Sequence, residues 1–116
     1  MLSKQELQKN REILSEADKS MAATFKVLSD VNRYRIFRIL VEQPKLTVSA
    51  IALILDISLP LASQHLKILV QANLLKKVRE GKKVFPKIKQ TNPFVPAILK
   101  TIKHAYKLRN KINTEI

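Results

Sequence analysis

Thr47-Val-Ser-Ala-Ile-Ala-Leu-Ile-Leu-Asp-Ile-Ser-Leu-Pro-Leu-Ala-Ser-Gln-His-Leu-Lys-Ile-Leu-Val-Gln-Ala72 is the stretch whose reading decides the fold. Val48, Ile51, Ala52 and Leu55 recur at i, i+3, i+4 and i+7, which predicts a helix from Thr47 to about Leu55. Asp56-Ile57-Ser58 breaks the pattern. Asp56 stands where a left-handed residue is needed, a conformation that Asp and Asn tolerate better than most. Ser58 is a natural N-cap for the next helix, and Pro60 in its first turn has no amide to leave unsatisfied. Along that helix Ala62, Leu66, Leu69 and Val70 form one apolar stripe. At about 100° per residue, Pro60, Gln64, Lys67 and Gln71 fall opposite it, facing solvent. Two helices joined by a three-residue turn, the second with a polar face, is the helix-turn-helix pattern. The same spacing also suits an ordinary helical hairpin, and the segment that follows bears on the choice.

That segment is Asn73-Leu-Leu-Lys-Lys-Val-Arg-Glu-Gly-Lys-Lys-Val-Phe-Pro-Lys-Ile-Lys-Gln90. Leu75 and Val78 on one side of Gly81, and Val84, Phe85 and Ile88 on the other, are separated by charged residues. Gly81 is the only glycine in the chain and permits the positive φ of a hairpin turn. The expectation is a two-stranded hairpin tipped by Gly81-Lys82-Lys83, with Pro86 on an edge strand. A hairpin directly after a helix-turn-helix, with Lys at its tip, is a wing.

Upstream, Ser3 to about Asp18 reads as a helix opened by a Ser3/Glu6 capping box, with Leu7, Leu14 and Met21 recurring at seven. Its thin apolar stripe calls for a partner surface. Met21 to Ser29 reads as a short second helix with Met21, Ala22, Phe25 and Leu28 on one face. Asp30 to Arg33 is a turn and cap, and a central helix runs from about Arg33 to Glu42, stopped by Pro44. Downstream, Asn92 caps a long helix with Pro93 at its first position. Val95, Ile98, Leu99, Ile102, Ala105, Tyr106 and Ile112 continue one apolar face. The chain has little left to cover that face, so a second copy is expected to cover it, first and last helices packed together.

At 116 residues this is one domain by size. The longest apolar run, Ala50 to Leu55, falls far short of the roughly 20 residues of a membrane span. Met1 to Lys9 lacks the apolar core of a signal peptide, so a cytoplasmic location is expected. Without Cys there is no disulfide framework or thiolate metal site. The net charge is +13, and it is unevenly placed. Residues 1–20 hold four Lys/Arg and four Asp/Glu, whereas residues 76–90 hold seven Lys/Arg against Glu80 alone. Clustered basic charge is the footprint of a phosphate-backbone binder, although a solubilising excess has the same composition.

In this order the elements resemble the ArsR/SmtB family of winged helix-turn-helix repressors. The residues that carry the resemblance are Phe25 to Leu40, Leu46 to Ala52, Ser63-Gln-His-Leu-Lys-Ile-Leu69, Ala72 to Leu75, and the wing Arg79 to Phe85. It spans about residues 22–90. The fold it implies is mainly α with a small β-hairpin wing. In domain terms, a dimerisation helix (1–20) and a C-terminal dimerisation helix (91–116) flank a winged core (21–90) in one domain, 1–116. The resemblance does not carry the family's metal chemistry. Where many members have Cys-Val-Cys, this chain has Thr47-Val48-Ser49, and hydroxyls do not replace thiolates for soft metals. At the second metal site Thr91, Pro93 and Lys107 stand at ligand places, leaving only His104. No metal and no cofactor are expected.

The expected partners are double-stranded DNA and a second copy of the chain, with no membrane and an effector left open. Candidate recognition-helix contacts are Ser58, Leu59, Pro60, Leu61, Ser63, Gln64, His65 and Lys67. Gln64 has the geometry to read adenine, while Leu59 and Leu61 suit either thymine methyls or another protein. His65 is either a base contact or a buried residue that holds the helix orientation. Lys76, Lys77, Arg79, Lys82 and Lys83 are expected at phosphates and the minor groove. Leu7, Leu14, Val95, Ile98, Leu99, Ile102 and Tyr106 are expected to form the dimer contact. No nucleophile–base pair or phosphate-cradling glycine loop is present, so an enzyme is not expected. Non-specific nucleic-acid coating and a protein-interaction module remain as other functions for the same charge and apolar residues.

Overall fold

The structure, a computed structural model, describes residues 1–115; Ile116, the last residue of the predicted domain, lies outside the described residues. The elements are α1 (Lys4–Arg11), α2 (Ala17–Leu28), α3 (Val31–Glu42), α4 (Val48–Leu55), α5 (Leu59–Gln71), β1 (Leu75–Glu80), β2 (Lys83–Ile88) and α6 (Val95–Glu115).

The core forms where α3, α5, the start of β1 and the first half of α6 converge. Ile36, Phe37 and Leu40 of α3 meet Ile51, Leu66, Leu69, Leu74, Leu75, Val95 and Ile102, all essentially inaccessible to water. Burying a side chain of this size contributes roughly 1.5–3 kcal/mol, so this cluster holds the helix-turn-helix in place. Among the described residues no single helix is long and apolar enough to cross a membrane; α4 and α5 pass that test only as a pair, and they are bent by 111°.

Local chemistry sets the boundaries. Thr47, Ser58 and Asp30 each accept an amide N–H three residues on (Ala50, Leu61 and Arg33), so each opens its helix as an N-cap. Asp56 ends α4 at φ 55°, and the Ile57 N–H donates to the Ala52 carbonyl, closing the helix end. Asn73 does the same for α5: at φ 65° it lets the Leu74 N–H reach the Leu69 carbonyl. The hairpin pairs Leu75 with Ile88 and Glu80 with Lys83, leaving Gly81 and Lys82 as a two-residue turn. Gly81 sits at φ 64° in the first turn position, where type II′ geometry favours glycine. Lys83 belongs to β2 rather than to the tip.

Four expectations are corrected. The first helix stops at Arg11 instead of Asp18, and the chain turns before α2 begins at Ala17. The α1 sequence is polar on every side and buries nothing, while Asp18 accepts the Ser15 N–H and starts the next helix. Of the expected inner face of α2 (Met21, Ala22, Phe25 and Leu28), Leu28 packs against the core with Val27, but Ala22 and Phe25 are exposed; Thr24 is buried instead, its hydroxyl donating to the Ser20 carbonyl. Helix α3 starts at Val31, two residues before Arg33, because Asp30 caps it. Helix α6 starts at Val95, not Pro93: Asn92 accepts the Phe94 N–H and bends Pro93–Phe94 into a turn.

Candidate nucleic-acid interface

The outward face of α5 forms because its inward face is fully used. Ala62, His65, Leu66 and Leu69 are buried, and the residues opposite them, Pro60, Gln64, Lys67 and Gln71, are exposed. Leu59 and Leu61 are also open to solvent, 48% and 36% exposed, at the N-terminal end that a major groove would receive. Ser58 is exposed, but its hydroxyl accepts the Leu61 N–H at 3.2 Å and serves as the cap. Ser63 turns toward the wing, lining a cleft of about 390 Å³ with Lys77 and Arg79.

His65 points inward. It is 9% exposed, and its Nδ1 lies 3.9 Å from the Asp30 carboxylate at the start of α3. At that distance there is no hydrogen bond. His65 is thus a packing residue between α5 and α3, not part of the exposed surface. The Arg33 amide beside Asp30 holds its carboxyl below the usual aspartate range; partial burial opposes this, and His65 and the Arg33 charge reinforce it.

The wing separates its cations by strand alternation. Lys77 and Arg79 face the α5 side, and Lys82 and Lys83 project at the turn and the start of β2. Lys76 does not join them: it lines a cleft with Leu40, Leu99 and Lys103 on the α3–α6 side. Glu80 lies 3.3 Å from Lys45 and 3.6 Å from Lys87, tying the hairpin to the loop before α4. The expected residues therefore divide. Leu59, Pro60, Leu61, Ser63, Gln64, Lys67, Lys77, Arg79, Lys82 and Lys83 are exposed on α5 and the wing, and Ser58, His65 and Lys76 do other work. Gln71 belongs with the first set, as the helical period indicated.

The residues expected at the dimer contact divide as well. Val95 and Ile102 lie inside this protomer's own core, with Ile98 and Leu99 packed against it. The apolar face of the first two turns of α6 is thus covered within the chain itself. Leu7, Leu14 and Tyr106 are exposed, as are Leu108 and Ile112 further along α6. Among the described residues no three His, Asp or Glu side chains come together as a metal-binding group, and the Thr47 hydroxyl caps α4.

A core helix, a helix-turn-helix bent at an αL aspartate and a β-hairpin beside the second helix define a winged helix-turn-helix domain. Residues 28–78 match a helix-turn-helix domain family. Over 70 residues the chain is 39% identical to the cadmium resistance transcriptional regulatory protein CadC of Listeria innocua; the match covers 60% of this chain and 59% of that relative. The chain therefore matches less than two thirds of that relative's length. Its backbone is similar to HlyU from Vibrio cholerae (TM-score 0.67, 21% identity, 82% of this chain and 97% of that one). It is also similar to a homodimeric winged helix-turn-helix DNA-binding domain from Mycobacterium bovis, described as a possible ArsR-family regulator (TM-score 0.59, 23% identity, 88% and 89% covered). The chain has the winged helix-turn-helix fold of these proteins.

Proposed function

We propose that this chain is a DNA-binding transcriptional regulator that works as a homodimer and reads sequence with α5. The observation that carries this is the exposed face of Pro60, Gln64, Lys67 and Gln71, opposite a fully buried one, with Lys77, Arg79, Lys82 and Lys83 on the wing beside it. A helix presented in this way fits the major groove, and two copies would meet half-sites about one helical turn apart. Gln64 is the residue with base-reading geometry, since its amide pairs bidentately with adenine. Lys67, Lys77, Arg79, Lys82 and Lys83 hold phosphates and fix the register. Leu59 and Leu61 lie where thymine methyls present the one apolar feature of the groove.

CadC of Listeria innocua is named a transcriptional regulatory protein, and the M. bovis domain is described as a homodimeric DNA-binding domain. Those properties support the same assignment here. Repression is the mode that the family resemblance supports, and such a regulator acts in the cytoplasm, where its DNA lies. Regulation is independent of thiophilic metals, because hydroxyls stand at the thiolate places and Thr47 is occupied as a cap.

The test is selection of genomic fragments by the pure protein at physiological salt, followed by sequencing of what is retained. An inverted-repeat motif whose preference is lost in Gln64→Ala supports the assignment. Uniform retention that vanishes with rising salt means charge-driven coating of nucleic acid and overturns it.

A further inference from the structure

Between α3, the end of α4 and the outer part of α6 lies an open groove of about 610 Å³. Its walls combine Tyr34, Ile54 and Tyr106 with three arginines, Arg35, Arg38 and Arg109. Arg38 is engaged within the groove: it lies 3.1 Å from Glu42 and 5.5 Å from the Tyr106 ring centroid. Glu42 offsets one of the three charges, so the groove is apolar with a net positive rim. Tyr34, Ile54 and Tyr106 remain 37%, 52% and 53% exposed.

A segment of opposite character stands elsewhere on the same chain. Residues 12–18, Glu-Ile-Leu-Ser-Glu-Ala-Asp, hold three acids and no base. Ile13 and Leu14 in this turn are 76% and 69% exposed, and α1 before them buries no residue. Asp18 is used as a cap, accepting the Ser15 N–H, but the other two acids are only lightly committed: Glu16 lies 3.1 Å from Lys19 in an exposed pair, and Glu12 accepts from Gln8 at 3.4 Å. Exposed pairs of this kind contribute little and are easily exchanged for better partners.

We propose that the 12–18 turn of one copy docks in the Arg35/Arg38/Arg109 groove of the other, Ile13 and Leu14 entering against Tyr34, Ile54 and Tyr106 while Glu12 and Glu16 meet the arginines. This rests on the homodimer proposed above and names its reciprocal contact. Two-fold symmetry uses the contact twice, since each copy carries both the turn and the groove. Arginine suits the receiving side because its planar fork pairs bidentately with carboxylates. The contact also has a direct line to recognition: Ile54 and Leu55 end α4, and the chain passes from them through Asp56 into α5.

The experiment is a charge swap. Arg35→Glu/Arg109→Glu reverses the groove and Glu12→Arg/Glu16→Arg reverses the turn; all four side chains are exposed, and circular dichroism checks that each variant folds. Association is read by sedimentation equilibrium of the full chain. Each variant alone should dissociate roughly a hundredfold more readily than wild type, because like charges are juxtaposed at both contacts. An equimolar mixture should restore the dimer, since in the mixed pair both contacts are again complementary. Variants that dimerise like wild type, or a mixture that stays monomeric, overturn the docking; the former leaves the groove to another occupant, such as a small organic anion, while the homodimer stands. A wild-type chain that is itself monomeric refutes the homodimer.

Discussion

Asn92 is the residue through which α6 is fastened to the end of the recognition helix, and its replacement gives the sharpest test of the structure. Its Nδ2 donates to the Asn73 carbonyl at 2.8 Å, and its Oδ1 accepts the Phe94 N–H at 2.9 Å. The side chain is 5% exposed, so water does not readily replace either partner. Asn92→Ala leaves one carbonyl and one amide without their bonds, at roughly 1–3 kcal/mol for each buried group. Both partners are only partly buried, which places the expected loss at about 2–4 kcal/mol. With a urea m-value of about 2 kcal/mol/M for a domain of this size, the unfolding midpoint falls by about 1–2 M. Chain concentration is held constant, because the proposed association would add to apparent stability. Asn92→Asp separates the two bonds: it keeps the acceptor for Phe94 but sets a carboxylate against the Asn73 carbonyl. At neutral pH it should be as destabilising as Asn92→Ala. Wild-type stability in Asn92→Asp would show that the bridge to Asn73 contributes nothing and would refute the reasoning.

Three further perturbations probe the site. Ser58→Ala removes the cap of α5 and should cost about 1 kcal/mol of stability, seen in the same urea titration, while Ser58→Asp should retain most of it. Lys82→Ala should lower the log–log salt slope of DNA binding by about 0.9 per protomer without changing which sequence is preferred, measured by titration at several salt concentrations. Asp30 has its carboxyl held below the usual range, chiefly by the Arg33 amide, so its charge stabilises the fold above the ordinary aspartate pKa of about 3.9 and ceases to do so as pH falls through the lowered folded value. Asp30→Asn keeps a capping oxygen without the charge. Its deficit against wild type should be largest near neutrality and vanish in strong acid, checked by unfolding midpoints over that pH range.

Much of the site was legible in the sequence because it depends on local rules. The αL aspartate at 56, the Ser58 cap and the apolar stripe of α5 each follow from neighbouring residues, and Gly81 marks the hairpin turn. Elements whose form depends on distant packing were read less well. The α2 face is set by what α3 presents to it, so Thr24 is inside and Phe25 outside against their hydropathies. Asn73 looks like an ordinary loop residue and Asn92 like a helix cap alone until the two are seen to be bonded across nineteen positions of the chain. The apolar stripe of α6 reads as one surface in sequence, yet Val95 and Ile102 lie in the core while Tyr106, beside Arg38, stays half-exposed on the wall of an open groove. Lys76 shows the limit for strands: strand periodicity says which residues alternate, but not which face α5 will lie against.

The uneven support along α6 grades its stability from one end to the other. A helix in water is marginal without tertiary support. The inner turns of α6 have that support in every single chain, through Val95 and Ile102. The outer turns are held more loosely: Tyr106 lies beside Arg38 of α3, its ring centroid 5.5 Å from the guanidinium, yet stays half-exposed, and Leu108 and Ile112 are open to solvent. The helix is therefore firm where it enters the core and progressively easier to unwind toward its outer end, so its last turns are the part of α6 that heat or denaturant melts first.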